Sequence, residues 1–209
     1  MLPIVESRRV APPAPVRCAP GGEIVVRPQR RGDEALTRAF FESLSREATY
    51  QRLLSARRLR PQEIGTLTRV DPLRQTAYVA LSGGPAHAQI IGDARYVRDA
   101  LGDAEFAIVV ADAWQRRGIA SLLLEALLQH ARAGGVARLY GLTLASNVAV
   151  QGLALKLGFA LRRDARDATL RWVEGGLASV ELPRMRRAPA VESIRCSKRG
   201  AGASACALR

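Results

Sequence analysis

The segment Gln115-Arg116-Arg117-Gly118-Ile119-Ala120 follows an apolar run and leads straight into an amphipathic stretch. Gly118 lets the backbone of such a bend approach a ligand closely. The unpaired N–H groups of the first helical turn, which includes Ser121, then point outward with the positive end of the helix dipole, an arrangement that suits a pyrophosphate. Taken alone, QxxGxA has low specificity, and a plain helix start is the alternative. Asn147 opens a second helical stretch, where its side chain suits an N-cap. His130 falls near the apolar side of the first helix with no partner in sequence, which suits packing better than base chemistry.

The elements that must position these residues follow from hydrophobic periodicity. Glu23–Arg27 reads as a strand stopped by Pro28, and Asp33 opens an amphipathic helix with Leu36, Phe40, Phe41 and Leu44. Two short helices follow, one with Tyr50, Leu53 and Leu54, the other starting near Pro61 with Ile64, Leu67 and Val70. Ala77–Leu81, Gln89–Val97 and Glu105–Val110 form an antiparallel meander separated by glycine-containing turns. The helix over Arg117–Ala133 places Ile119, Leu122, Leu123, Ala126 and Leu127 on one face and Ser121, Glu125, Gln129 and Arg132 on the other, and Gly134-Gly135 ends it. A strand over Arg138–Leu144, a helix over Asn147–Leu157 and a hairpin of Ala160–Arg163 with Ala168–Val173 complete the order, which gives a mixed sheet with helices on its faces.

Charge and composition narrow the function classes. Lys+Arg number 32 against 19 Asp+Glu, a formal +13, yet Lys156 and Lys198 are the only lysines. Much of the excess sits at the ends: residues 183 to 209 carry seven basic side chains against Glu192. A mildly cationic centre suits an anionic ligand better than a phosphate-tracking groove, so nucleic acid is a minority reading. Residues 1–21 read as a flexible Pro/Ala-rich arm, 22–182 as the folded domain, and 183–209 as a basic disordered tail. Cys18, Cys196 and Cys206 lack ligand spacing, so neither a disulfide framework nor a metal site is expected. No apolar run has signal-peptide or membrane-span length, which points to a cytoplasmic protein.

The two motifs in this order carry a resemblance. Gln115 to Ala120 resembles the acyl-CoA pyrophosphate motif of the GNAT N-acetyltransferase superfamily. Asn147 to Phe159, with Leu153, Lys156, Gly158 and Phe159, resembles its second cofactor-side motif. Leu44-Ser45 through Tyr50-Gln51-Arg52-Leu53-Leu54, then Val70-Asp71 and Ala104-Glu105-Phe106-Ala107, resemble the acetyltransferase domain of bacterial Pat-type protein lysine acetyltransferases. Those proteins usually carry an acyl-CoA-synthetase-like or cyclic-nucleotide-binding domain as well, for which this sequence shows no counterpart. The likeness covers about residues 23 to 174 and implies an α/β (α+β) fold, a mixed, mostly antiparallel sheet flanked by helices on both faces.

The resemblance also implies chemistry: an acetyl group moves from acetyl-CoA, as co-substrate, to an amine on a protein lysine or small molecule, by direct transfer in a ternary complex. Such attack needs a base and donors for the developing oxyanion. The strand residues Ala107, Ile108, Val109 and Val110 would supply backbone groups to the pantetheine arm and the carbonyl. Glu105 is the candidate base, with an exposed strand-end glutamate as the alternative. Arg116 stands where the superfamily commonly has glycine and could reach a phosphate; Asn147 could bond the pantetheine as well as cap its helix. Ala154 stands where the superfamily usually has a tyrosine acid, leaving Tyr140 and Tyr96 as candidate substitutes, each better suited to packing in the core or a hairpin. Trp114 is expected to pack beneath the loop. A homodimer is compatible with the sequence. The competing readings are a CoA-binding module without turnover and a nucleic-acid-associated protein using its arginine-rich tail.

Overall fold

The computed structural model describes residues 16–18, 22–55, 59–68, 71, 74–83 and 87–178. Most of the expected arm, the whole of the expected tail and Val70 lie outside the described residues. Eight strands form one sheet: β1 (Val16–Cys18), β2 (Gly22–Pro28), β3 (Gln75–Ser82), β4 (Gln89–Arg98), β5 (Ala104–Val110), β6 (Arg138–Leu144), β7 (Ala160–Arg163) and β8 (Leu170–Gly176). Their spatial order is β1-β2-β3-β4-β5-β6-β8-β7, antiparallel at every junction except β5–β6. One departure from expectation is β1: Val16–Cys18 fell within the expected arm, but these residues pair antiparallel with β2, which gives their backbone groups ladder partners.

The helices are α1 (Glu34–Ser43), α2 (Arg46–Leu53), α3 (Pro61–Thr68), α4 (Ile119–Ala133) and α5 (Val148–Lys156). α4 and α5 cover one face of the sheet, where Tyr78, Ile91, Phe106, Leu123, Leu127 and Phe159 belong to the larger apolar cluster. The other face packs Val79, Leu81, Ile90 and Val109 against Phe40 and Phe41 of α1 and Ile64 of α3. Burying each of those phenylalanines contributes about 1.5–3 kcal/mol. Because β3 and β4 are covered on both faces, nearly all their residues are buried, while β8 and β7 at the edge are more exposed.

Two charges lie inside this second layer. Arg95 donates from Nε and Nη2 to both carboxylate oxygens of Asp93, at 2.9 and 2.5 Å, and from Nη1 to the carbonyl of Leu67 at 2.9 Å, which ties α3 to β4. At the start of α1, Asp33 accepts from both Nη atoms of Arg27 and from the Arg30 N–H. Burial alone would raise its carboxyl, but these donors hold it below the ordinary value.

One expectation for α4 is corrected. Glu125, placed on its polar face by periodicity, is buried, as are Leu124 and Leu128. The helix is enclosed on more than one side, so a single apolar stripe does not describe it. Burial raises the Glu125 carboxyl above its ordinary value, with Lys156 of α5 pulling the other way.

Candidate active site

The β5-to-α4 junction makes one end of the site. A short 3-10 turn, Asp112–Trp114, follows β5, and Gln115 donates from Nε2 back to the Val110 carbonyl at 3.2 Å, pinning the bend to the strand end. Two residues of the bend are left-handed: Arg116 at φ 60° and Gly118, the N-cap of α4, at φ 81°. That conformation costs an L residue about 1–2 kcal/mol, which explains why glycine suits position 116 and why Arg116 is strained. A Cβ on Gly118 would meet nothing within 4 Å, so its closeness to a ligand is free space rather than filled core. The first N–H groups of α4 border that space. Arg117 turns away and lies over the Trp114 ring at 5.0 Å.

A cleft of about 230 Å³ opens here, lined by Ile108, Val109, Val110, Gln115, Arg116, Gly118, Ile119, Ala120, Ser121 and Asn147 among the residues expected from sequence. Arg117 does not line it, because its guanidinium is committed to Trp114. Trp114 lines the cleft as well as packing against the core.

The cleft continues where β5 and β6 part. Their parallel pairing is confined to Ala104↔Leu139 and Glu105↔Tyr140. From Phe106 onward β5 pairs with β4 alone, so its backbone groups on the β6 side have no ladder partner. A smaller cavity of about 30 Å³ lies in this opening, lined by Phe106, Ala107 and Ile108 on one side and Gly141, Leu142 and Thr143 on the other. Gly141 fixes the neck of the opening, since a Cβ there would sit 2.8 Å from the Phe106 carbonyl oxygen.

The wall opposite is α2. Ser45 caps it by accepting from the Ala48 N–H, and also bonds Asp112 at 3.0 Å, fastening the helix to the turn after β5. Ala48, Gln51 and Arg52 line the cleft. Asn147, buried, accepts from the Val150 N–H as N-cap and donates from Nδ2 to Gln51 Oε1 at 3.3 Å, so it joins the second motif to α2. Its cap and its place in the cleft coexist. No site role was expected for Gln51 and Arg52. The available signal was α2 itself, whose sequence REATYQRL buries only Ala48 and shows no apolar stripe.

Glu105 is exposed and lines neither cavity, standing at the last paired position before the strands part. Its charge acts on Arg52 and on Tyr140 through space. Neither candidate substitute acid lines the cleft. Tyr96 is buried with its hydroxyl 3.0 Å from His130 Nδ1, and Tyr140 donates to Asp99 at 3.1 Å, with burial first and that bond second raising its phenol above the ordinary value. His130 packs beside Tyr78 and Tyr96, and burial, then Arg98, lowers its pKa. Ala154 is buried in the α4–α5 core. Among the described residues no group of three or more metal-ligating side chains converges, and no helix is long and apolar enough to cross a membrane.

Known proteins resemble this chain in sequence and fold. The model of the Acetyltransferase (GNAT) family matches residues 37–159. An acetyltransferase of Pseudomonas aeruginosa is 30% identical over 151 residues, 71% of this chain and 81% of the relative. Acetyltransferase Pat of Mycolicibacterium smegmatis is 33% identical over 148 residues, covering 70% of this chain but 44% of the relative, so the chain spans less than half of that protein. Among solved structures, the GNAT domain of S. lividans PAT superposes with a TM-score of 0.69 at 28% identity, over 78% of this chain and 96% of that domain. The chain, with parted strands meeting a helix N-terminus at a glycine bend, therefore belongs to the Acetyltransferase (GNAT) family and is an acetyl-CoA-dependent N-acetyltransferase.

Proposed function

We propose that this enzyme moves the acetyl group directly from acetyl-CoA to a primary amine, that of a protein lysine, with Glu105 removing the amine proton. The observation that carries the reading is the position of Glu105 at the last β5–β6 pair, where the parted strands begin. Acetyl-CoA supplies an activated acetyl thioester whose thiolate leaves readily, with a pKa near ~8.5 for an unperturbed thiol. The residues present fit it: the α4 N-terminus, Gly118 and Arg116 border the space for phosphates, and the unpaired edge of Phe106–Val110 offers donors and acceptors to the pantetheine arm.

The lining supports direct transfer. No cysteine lines either cavity among the described residues, Ser121 lies in the first turn of α4, and neither it nor the Thr143 hydroxyl is hydrogen-bonded to a base that would activate it for an acyl-enzyme. Glu105 would hold the incoming ammonium and take its proton, directly or through water. The lysine acceptor is supported by the likeness of α2 and the Ala104–Ala107 stretch to Pat-type domains and by the match to the Pat relative. The cytoplasm is the compartment in which both substrates meet.

The test offers the full chain acetyl-CoA together with lysine-containing proteins, free amino acids and small polyamines, and follows thiol release and acceptor mass. Lysine acetylation with intersecting initial-velocity lines is the expected result. Acetylation of small amines alone would overturn the protein acceptor, parallel lines would overturn direct transfer, and tight CoA binding with no transfer to any amine would leave a binding module.

A further inference from the structure

Among the described residues that line the cleft, Arg52 carries a buried donor with no hydrogen-bond partner. It lies within α2, and its Nε is sealed from solvent without a hydrogen-bond partner. A guanidinium has five N–H donors and no acceptor, stays charged, and pays a desolvation cost for any donor left dry and unpaired. The charges around it do not meet that need. Asp93 is taken by both Nε and Nη2 of Arg95, and Glu105 acts on Arg52 without a hydrogen bond. Two cations line the main cleft, Arg116 in the bend at the α4 N-terminus and Arg52 on the opposite wall. Of the two, only Arg52 also lines the cavity between the parted strands, beside Ile108 and Thr143.

With the phosphates placed at the α4 N-terminus, Arg52 faces the reacting end, where the thioester carbonyl oxygen is the acceptor whose negative charge grows during transfer. We propose that Arg52 is a further catalytic residue, donating to that oxygen from the α2 wall while the β5 backbone approaches from the strand side. The proposal rests on acetyl transfer taking place in this cleft. As the amine nitrogen bonds the carbonyl carbon, the C=O π pair moves onto oxygen and Arg52 holds the growing negative charge. The pair returns as the C–S bond breaks, the thiolate departs, and the amine proton goes to Glu105 or to water. Arg52 gives up no proton. A neutral carbonyl in the cleft accepts from the part of the guanidinium that lines it, a charged oxygen accepts more strongly, and only such a difference accelerates the step. Ala154 adds to the demand, since no tyrosine at that position assists the leaving group.

The experiment compares two inert ligands by calorimetry on the full chain: acetonyl-CoA, a ketone that keeps the carbonyl, and S-ethyl-CoA, a thioether that lacks it. Wild type is expected to bind the ketone about tenfold tighter or more. Arg52→Gln should bind both alike, with S-ethyl-CoA affinity unchanged, and its kcat should fall ~10²- to 10³-fold at similar KM for acetyl-CoA. Arg52→Lys, which keeps charge and bulk, should recover part of both, and thermal melts confirm that each variant is folded. Absence of ketone preference in wild type, or its full survival in Arg52→Gln, overturns the proposal. So does a wild-type preference for succinyl-CoA that vanishes with Arg52 while the ketone preference stays, because the group held is then a carboxylate. Glu105→Gln should keep the ketone preference whatever its turnover, so a failed base assignment is told apart from a failed Arg52. If neither ligand nor CoA binds wild type, the cleft reading itself fails.

Discussion

The phosphate end and the acyl end of this cleft are built by different means. At the proposed phosphate end, the bend Gln115-Arg116 and the α4 start from Gly118 to Ser121 line the cleft within one short stretch of chain, with the glycine at φ 81°. At the acyl end, the walls come from Gln51 and Arg52, from Phe106 to Ile108 and from Gly141 to Asn147, stretches far apart in the chain. A backbone site is local and leaves a short motif. A side-chain site assembled across three elements leaves none, and its residues can change while the fold persists.

The sharpest way to test that division is Glu105→Gln. If the acyl end carries the chemistry and the phosphate end the affinity, turnover should fall ~10²- to 10⁴-fold while CoA affinity by calorimetry stays nearly intact. Wild-type rates should rise with pH as the acceptor amine loses its proton, and the variant should need a higher pH for the same rate. Wild-type rates at every pH would make Glu105 a strand-end residue.

A second break targets what holds the acyl end. Asp93→Asn leaves the Arg95 guanidinium buried without its carboxylate, a loss of about 3–5 kcal/mol when a buried pair is severed. Arg95 also bonds Leu67, so the damage should spread through α3 and the face that carries Arg52. Urea unfolding measures the loss, and hydrogen exchange should show α4 protected longer than α3. A drop under about 1 kcal/mol would place the pair among weakly contributing surface bridges.

The same division explains what the sequence disclosed. Element order, the β3–β4–β5 meander and the QRRGIA bend were legible because alternation, glycine placement and helical periodicity are local signals. The helix-start alternative holds in the structure and does not exclude the phosphate-cradle reading, since Gly118 is the N-cap and also borders the cleft. The burial of Glu125 was not legible, because periodicity sorts a helix into two faces and α4 is enclosed on more. Nor was the role of α2: its polar run reads as a solvated helix until the fold places it across from β5. Arg117 was misplaced for a related reason, since sequence cannot say which of two adjacent arginines finds an aromatic ring.

At the phosphate end, position 118 separates strain from obstruction. Gly118→Ala should cost about 1–2 kcal/mol of stability, because an L residue is held left-handed, while CoA affinity falls modestly because the added methyl meets open space. Gly118→Glu, which adds bulk and charge where phosphates approach, should abolish most of the affinity in a protein that still melts cooperatively. Equal affinity in both variants would move the phosphates elsewhere.

The smallest expected effect lies beneath the motif, in the helix whose first turn makes the cradle. Burial raises the Glu125 carboxyl above its unfolded value, with Lys156 opposing. A raised carboxyl means the folded state favours the proton. Its stabilising share is therefore present below the unfolded pKa and is lost as pH rises through the folded one. At neutral pH the ionised group is a burden, and Glu125→Gln should melt slightly higher than wild type. The gain should shrink and vanish once both states are protonated, below the ordinary carboxylate range near ~4. His130 runs the other way: its lowered pKa means that stability falls as pH drops below the imidazole range near ~6.5, because the unfolded chain takes the proton first. Both proteins should share that slope, so the difference between their melting curves isolates Glu125. Were Glu125→Gln to melt lower at neutral pH, attraction to Lys156 would outweigh burial, and α4 would be held to α5 by charge rather than by apolar packing.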